Sequence, residues 1–253
     1  MSTPPAARHA ELADALARLR ARLAAAVDAA GREPGDVQLL PVTKFFPAAD
    51  VVTLRELGCT EFGESREQEA ARKVTDVAAA LPDSLSDPAI RWHMIGRIQR
   101  NKARAVAAWA AVAHSVDSVA LVAALGRGAV DALERGVRRA PLQIYIQVSL
   151  DGDPARGGVW VERPDEIDQL CAAADAAEGV AFAGLMAIAP LTGDTDEHFA
   201  RLQAECRRVQ TRYQQRLGLS AGMSGDLETA VKHGSTCVRV GTALMGPRPL
   251  TSP

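Results

Sequence analysis

The feature that most constrains this chain is an alternation: from about residue 37 to residue 244, a short apolar run, a turn and a polar-apolar helical stretch follow one another repeatedly. The runs that read as strands are "VQLLPVTK" (37 to 44), "TEFGE" (60 to 64), "RWHMIG" (91 to 96), "AVAHSVD" (111 to 117), "LQIYIQVSL" (142 to 150), "VAFAGLMAI" (180 to 188), "LSAGM" (219 to 223) and "CVRVGTAL" (237 to 244). Helical patterning is clearest over 48 to 57, 66 to 79, 118 to 135, 162 to 177 and 195 to 216. Strands joined through helices pair in parallel, and a parallel sheet needs both faces covered. Eight such strands imply a closed (β/α)8 TIM barrel of the α/β class, with a doubly wound open sheet as the alternative. The strand count favours the barrel.

Leu12, Leu16, Leu19, Leu23 and Val27 follow a three-four spacing, which predicts an extra amphipathic helix over about 8 to 30, ended by "GREPGD". No Pro/Ser-rich linker interrupts the alternation, and "LPDSLSDP" (81 to 88) reads as a helix-to-strand loop. A single domain over 8 to 246 is therefore expected, with mobile tails at 1 to 7 and 247 to 253.

At 253 residues the chain has the length of one barrel. Its formal net charge of -2 gives no electrostatic footprint for nucleic acid or an anionic membrane. Cys59, Cys171, Cys206 and Cys237 lie far apart, without a CxxC pair or a His/Cys spacing that suits zinc. They read as small apolar residues of a reducing compartment. The N-terminal stretch has no basic head followed by an apolar core, and "AVAAWAAVAHSV" is too short to span a bilayer and is broken by His114. A cytoplasmic protein is expected.

Barrel function resides at the C-terminal ends of the strands, where loops seven and eight often hold a phosphate. Lys44 closes the first strand in "LLPVTKFFPAADV" (39 to 51), between an apolar run and two phenylalanines. Burial disfavours a charged ammonium, and the free amine is the nucleophile that attacks carbonyls; the alternative is a lysine whose head reaches water. After strand seven, Ser224 in "GMSGDLETAV" reads as the start of a helix, either a cap or part of an anion site. In strand eight, Gly241 lets the backbone approach closely, Thr242 adds a hydroxyl and an N–H, and Arg239 shares Gly241's strand face. A nucleophilic lysine and a phosphate cradle would then share one cavity.

Other signals are weaker. "GRGAVD" (126 to 131) lacks the third glycine of a dinucleotide fingerprint and follows no strand. His93 reads as a hydrogen-bonded core residue, and His9 and His198 as exposed helix positions. Asp151 and Asp153 in "DGDPARGG" suggest a solvated turn, although Gly157 and Gly158 would allow a ligand to approach.

"LLPVTK", "FGES", "WHMIGRIQRNK", "GLMAI" and "LSAGMSGDLETAVKHGSTCVRVGTALMG" together resemble the pyridoxal phosphate homeostasis proteins (the YggS/PROSC family) over nearly the whole chain. The family is similar to the barrel domain of alanine racemase without its second domain, and binds pyridoxal 5'-phosphate at the barrel mouth. The resemblance implies that Lys44 carries the cofactor covalently, that Ser224 and the Gly241/Thr242 backbone hold its phosphate, and that Arg239 approaches the pyridine nitrogen. Two positions depart from the family pattern: Ser65 stands where an asparagine is usual, and Arg156 where a lysine is common, keeping charge and losing nucleophilicity.

The resemblance implies a cofactor carrier or reservoir in intracellular pyridoxal phosphate homeostasis, not an enzyme, with apo pyridoxal enzymes as transient partners and a monomeric state. The alternative is an amino-acid racemase, which needs an acid/base on each face of the substrate carbon. The only tyrosines are Tyr145, in mid-strand, and Tyr213, on a predicted helix. A barrel without a second domain brings no other such group over the cofactor. A third reading, a cofactor-independent aldolase using the same lysine and phosphate cradle, is opposed by the signature motifs.

Overall fold

A computed structural model of the protein describes residues 5–81 and 88–248. The loop expected at 81 to 88 and the expected mobile ends therefore lie largely outside the described residues. The strands are β1 (Gln38–Pro41), β2 (Glu61–Glu64), β3 (Arg91–Met94), β4 (Val112–Val116), β5 (Leu142–Ser149), β6 (Val159–Trp160), β7 (Val180–Ala187), β8 (Gly218–Ser220) and β9 (Cys237–Val240). Apart from the two-residue β6, which pairs with β5, they are hydrogen-bonded in the order β1-β9-β8-β7-β5-β4-β3-β2. Every pairing is parallel. A parallel bridge between Val42 and Gly63 joins β1 to β2 and closes the ring. The structure is the expected single-domain (β/α)8 barrel with an extra N-terminal helix.

The helices are α1 (Pro5–Ala29), α2 (Ala48–Glu56), α3 (Glu67–Ala80), α4 (Ala103–Trp109), α5 (Val119–Glu134), α6 (Pro164–Ala176), α7 (Thr195–Gln210), α8 (Leu227–Lys232) and α9 (Thr242–Met245). Helix α1 buries all five residues of its predicted stripe, Leu12, Leu16, Leu19, Leu23 and Val27, and packs on α2, α8 and α9. Burying each such side chain contributes about 1.5–3 kcal/mol, so the stripe is ample to hold the helix on the barrel. Cys59, Cys171 and Cys237 are buried and Cys206 half-buried, all as free thiols. Burial pushes Cys206 and Cys237 up to about 11, which leaves both as inert thiols.

Three expected boundaries move in the C-terminal half of the barrel. The seventh strand, expected to reach 223, ends at Ser220, and the chain then turns at Gly222 with φ +92°. A Cβ at Gly222 would stand 2.6 Å from the Ala230 Cβ, so only glycine fits this turn. The eighth strand, expected to reach 244, ends at Val240 because Thr242 begins α9. Helix α7 stops at Gln210, whose amide donates to the carbonyls of Tyr213 and Gln215 and accepts the Leu217 N–H, so its side chain holds the chain reversal. Tyr213 consequently lies beyond the helix, edge-on to Phe182. Helix α4, hidden in an alanine-rich stretch, was not expected; Gly128 lets α5 approach it so closely that a Cβ there would stand 2.9 Å from the Arg104 Cα. The "GRGAVD" segment is thus helix packing and not a nucleotide loop.

A lysine-bearing cavity at the barrel mouth

Side chains alternate along a strand, and paired positions share a face. Leu40 pairs with Arg239 and Val42 with Gly63, which pairs in turn with His93. These positions point into the barrel. Two residues past Val42, Lys44 continues the inward face and emerges at the C-terminal mouth. There it lines a cavity of about 390 Å3 together with Val42, Phe45, Phe46, Ile95, Ile188, Met223, Ser224, Gly225, Arg239, Gly241, Thr242, Gly246 and Arg248. All five residues expected to form one site, Lys44, Ser224, Arg239, Gly241 and Thr242, line this single cavity.

The cavity is electropositive and Lys44 feels it. Burial lowers the Lys44 pKa, Arg248 and Arg239 lower it further, and only Glu64 opposes them. Glu64 itself is engaged in a buried cluster behind the site, where it accepts from Thr43 Oγ1 at 2.7 Å and from Lys73 Nζ at 2.6 Å. Lys73 also donates to the Thr43 carbonyl at 2.9 Å, fixing the backbone beside Lys44. The chain has three other lysines, and each holds a carboxylate: Lys73 with Glu64, Lys102 with Glu67 at 3.4 Å and Lys232 with Asp196 at 2.6 Å. Among the described residues, Lys44 alone of the four has no ion pair.

The backbone leaves the strand abruptly after Lys44. Phe45 has φ +71°, a left-handed conformation that is strained for an aromatic residue by about 1–3 kcal/mol. Its ring is held by cations: the guanidinium of Arg248 lies 4.7 Å and that of Arg66 5.4 Å from its centre. Neither Phe45 nor Arg248 was foreseen as a site residue. The double phenylalanine after the lysine was the available signal for the first, whereas Arg248 fell within a stretch expected to be a mobile tail.

Ser224 is not at the N-terminus of its own helix, as expected from sequence, since α8 begins three residues later at Leu227. Its hydroxyl instead accepts the backbone N–H of Ala243 at 3.2 Å, in the first turn of α9. The turn after β8 and the start of α9 are thereby tied together beneath the same cavity. Gly241 has φ -104°, so it is not required for a left-handed turn. A Cβ there would meet Val42 at 3.7 Å, an ordinary contact, so a larger side chain would have to take up cavity space.

Arg239 is buried and donates to Ser220 Oγ at 2.6 Å and to the Ala187 carbonyl at 2.9 Å. Among the described residues it forms no ion pair with a carboxylate. Burial lowers its pKa, but a guanidinium keeps its proton in proteins. Ser65 lies beside the mouth, and Gly96 passes so close that a Cβ would overlap the Ser65 carbonyl oxygen at 2.0 Å. Arg156 ties loops together, donating to the carbonyls of Ile188 and Ala189 and pairing with Asp151. Gly158 admits the protein's own β5 strand, with a Cβ there placed 2.9 Å from the Ser149 nitrogen. His93 is a hydrogen-bonded core residue as expected, His9 is exposed, and His198 is half-buried, with Nε2 at the Thr192 carbonyl.

Among the described residues, no group of three or more His, Cys, Asp or Glu side chains is placed to hold a metal ion, and no helix is long and apolar enough to cross a membrane.

The model of the alanine racemase N-terminal domain family matches residues 15–249. The pyridoxal phosphate homeostasis protein of Mycobacterium tuberculosis is 56% identical over 251 residues, covering 97% of this chain and 96% of that protein. A solved structure of a protein of unknown function from Bifidobacterium adolescentis superposes with a TM-score of 0.82 at 31% identity, over 94% of this chain and 96% of that one. The structure of PipY from Synechococcus elongatus with pyridoxal phosphate bound superposes with a TM-score of 0.74 at 35% identity, over 93% of this chain and 100% of that one. On fold, length and sequence, the chain belongs to the pyridoxal phosphate homeostasis protein family, whose barrel is that of the alanine racemase N-terminal domain.

Proposed function

We propose that this protein binds pyridoxal 5'-phosphate reversibly at the barrel mouth, with Lys44 as the covalent attachment point, and serves as a reservoir that buffers and passes on the cofactor. The observation that carries this reading is the state of Lys44: an inward-facing lysine without an ion pair among the described residues, its pKa lowered, beside a polar turn suited to an anion. The donor set fits the cofactor. Ser224 and Thr242 offer hydroxyls, the Gly241–Thr242 backbone offers N–H groups, and Arg239 and Arg248 supply positive charge toward a phosphate-bearing ligand.

When bound, the cofactor supplies an aldehyde that condenses with a primary amine and a ring that can accept electron density. The side chains at the mouth favour holding over catalysis. Arg239, which always keeps its proton, could only donate toward a ring nitrogen placed beside it, and would so favour the unprotonated, weaker electron-accepting form of the ring. Racemisation would also need a second acid/base opposite Lys44. Tyr145 does not supply it: its hydroxyl lies low in the barrel, 2.7 Å from where a Cβ on Gly218 would stand, and burial raises its pKa. Tyr213 packs outside the barrel against Phe182.

The test is to load the protein, remove free cofactor, and add an apo pyridoxal enzyme. Restored activity of that enzyme is expected, with no enzymatic-rate exchange of solvent deuterium into the α-carbon of alanine or serine. Deuterium exchange at turnover rates that disappears in Lys44→Ala would make the protein an enzyme and overturn the reading.

A further inference from the structure

Behind Arg239 a continuous line of hydrogen bonds crosses the barrel interior. Arg239 Nη1 donates to Ser220 Oγ at 2.6 Å, and Ser220 Oγ lies 2.8 Å from His114 Nδ1. His114 Nε2 lies 2.9 Å from His93 Nδ1, and His93 Nε2 lies 2.6 Å from Glu61 Oε2, at the opposite end of the barrel. His93, His114, Ser220 and Arg239 are buried, and Glu61 is partly exposed. The five side chains come from β2, β3, β4, β8 and β9, and all lie on inward-facing positions.

The carboxylate fixes the direction of this line. Ionised Glu61 can only accept, so His93 Nε2 carries the proton and donates to it. In a neutral imidazole His93 Nδ1 is then an acceptor, so the His114 proton sits on Nε2, facing it. His114 Nδ1 accepts in turn, and Ser220 Oγ, which accepts from the Arg239 guanidinium, turns its single proton toward it. Every polar atom along the line is satisfied when both histidines are neutral, both are Nε2–H tautomers, and Glu61 is a carboxylate. Protonating either ring would set two N–H groups against each other or against the serine proton.

We propose that Glu61, His93, His114 and Ser220 form a directional positioning relay that orients the Arg239 guanidinium and links the electrostatics of the N-terminal end of the barrel to the cofactor ring at the mouth. The last clause rests on the binding function proposed above; the relay itself does not.

The surroundings agree with this direction. Burial holds both histidines below their ordinary pKa, His114 well below, where His93 and Arg239 add to the effect. Burial pushes Glu61 up, but its hydrogen bond from His93, with Gln38 and Arg91 beside it, outweighs that and leaves it lowered. The other groups facing the line are Tyr145, stacked on His114 with ring centres 4.8 Å apart, Arg91, 3.8 Å from Glu61, and Cys237 beside Ser220. Burial raises the Tyr145 and Cys237 pKa values, so both stay protonated at neutral pH. Neither Tyr145 nor Cys237 therefore changes charge between pH 5.5 and 8.

Nitrogen-15 NMR of the histidine-labelled protein without cofactor tests the relay. The expected result is two non-titrating neutral rings between pH 5.5 and 8, both with protonated Nε2, assigned by their loss in His93→Gln and His114→Gln. A titrating ring, or an Nδ1–H tautomer at either position, would overturn the relay whether or not the protein binds pyridoxal phosphate. The link to the cofactor is tested with Ser220→Ala and Ser220→Thr. Ser220→Ala is expected to weaken pyridoxal phosphate binding about tenfold and to shift the pH at which the visible band of the loaded protein fades, with partial return in Ser220→Thr. A folded Ser220→Ala protein with unchanged affinity and pH profile would remove the positioning role. Absence of cofactor binding in the wild-type protein would instead refute the function proposed above, leaving the NMR result to stand by itself.

Discussion

The ammonium of Lys73 lies 2.6 Å from the Glu64 carboxylate in the protein interior, one helix behind Lys44. Two lysines therefore stand near the same backbone, and their partners divide their roles. Lys73 is spent on Glu64 and the Thr43 carbonyl, whereas Lys44 faces arginines.

Removing one member of that buried pair leaves the other uncompensated. Lys73→Met is expected to destabilise the fold by about 3–5 kcal/mol at pH 7, as is usual for breaking a buried ion pair. Burial already raises the Glu64 pKa with Lys73 present, and losing Lys73 raises it further. A carboxyl with a folded-state pKa above its unfolded value binds more protons when folded, so stability rises as the pH falls. Urea unfolding at pH 7 and pH 5 should show the deficit of Lys73→Met relative to wild type shrinking at the lower pH. A deficit that grows on acidification would contradict this account of Glu64.

Lys44 has the opposite sign of effect. Its pKa is lowered in the fold, so the unfolded chain binds the proton more tightly, and this group contributes stability only as the pH rises. The cofactor-free Lys44→Met protein should melt above wild type at pH 7, by about 2–4 °C if the gain is near 1 kcal/mol. The difference should narrow toward pH 10. A lower melting temperature for Lys44→Met would mean that the ammonium is well solvated or paired.

The phosphate cradle divides into backbone and side-chain parts. Thr242→Val removes one hydroxyl and should weaken pyridoxal phosphate binding by about 0.5–1.5 kcal/mol, or about 2- to 12-fold. Gly241→Val should weaken it more, because its side chain fills cavity space beside Val42 while the backbone φ of -104° tolerates the substitution. Titration of the visible band with cofactor gives both values, and equal affinities for wild type and Gly241→Val would refute the cradle geometry.

Much of the barrel was legible because strand and helix periods alternate so regularly, and because the inward parity of Leu40, Val42 and Lys44 follows from the two-residue repeat alone. Lys44, Ser224, Arg239, Gly241 and Thr242 were each visible at strand ends, and the closed ring brings them to one cavity. What could not be read was long-range. Ser224 looked like the cap of the helix that follows it, and only the fold places its hydroxyl against Ala243 in the next one. His93 and His114 are ordinary strand residues until β3 and β4 pair and set their rings 5.1 Å apart. Helix α4 was obscured because its alanines carry little periodic contrast.

The central claim is that Lys44 is the residue that captures pyridoxal phosphate, and borohydride reduction of the loaded protein followed by peptide mapping tests it directly. Reduction makes the attachment permanent, so the stable pyridoxyl mass should appear on the peptide containing Lys44, and the yellow band and the label should both be lost in Lys44→Ala. A label found chiefly on Lys73, Lys102 or Lys232, or undiminished in Lys44→Ala, would contradict the account.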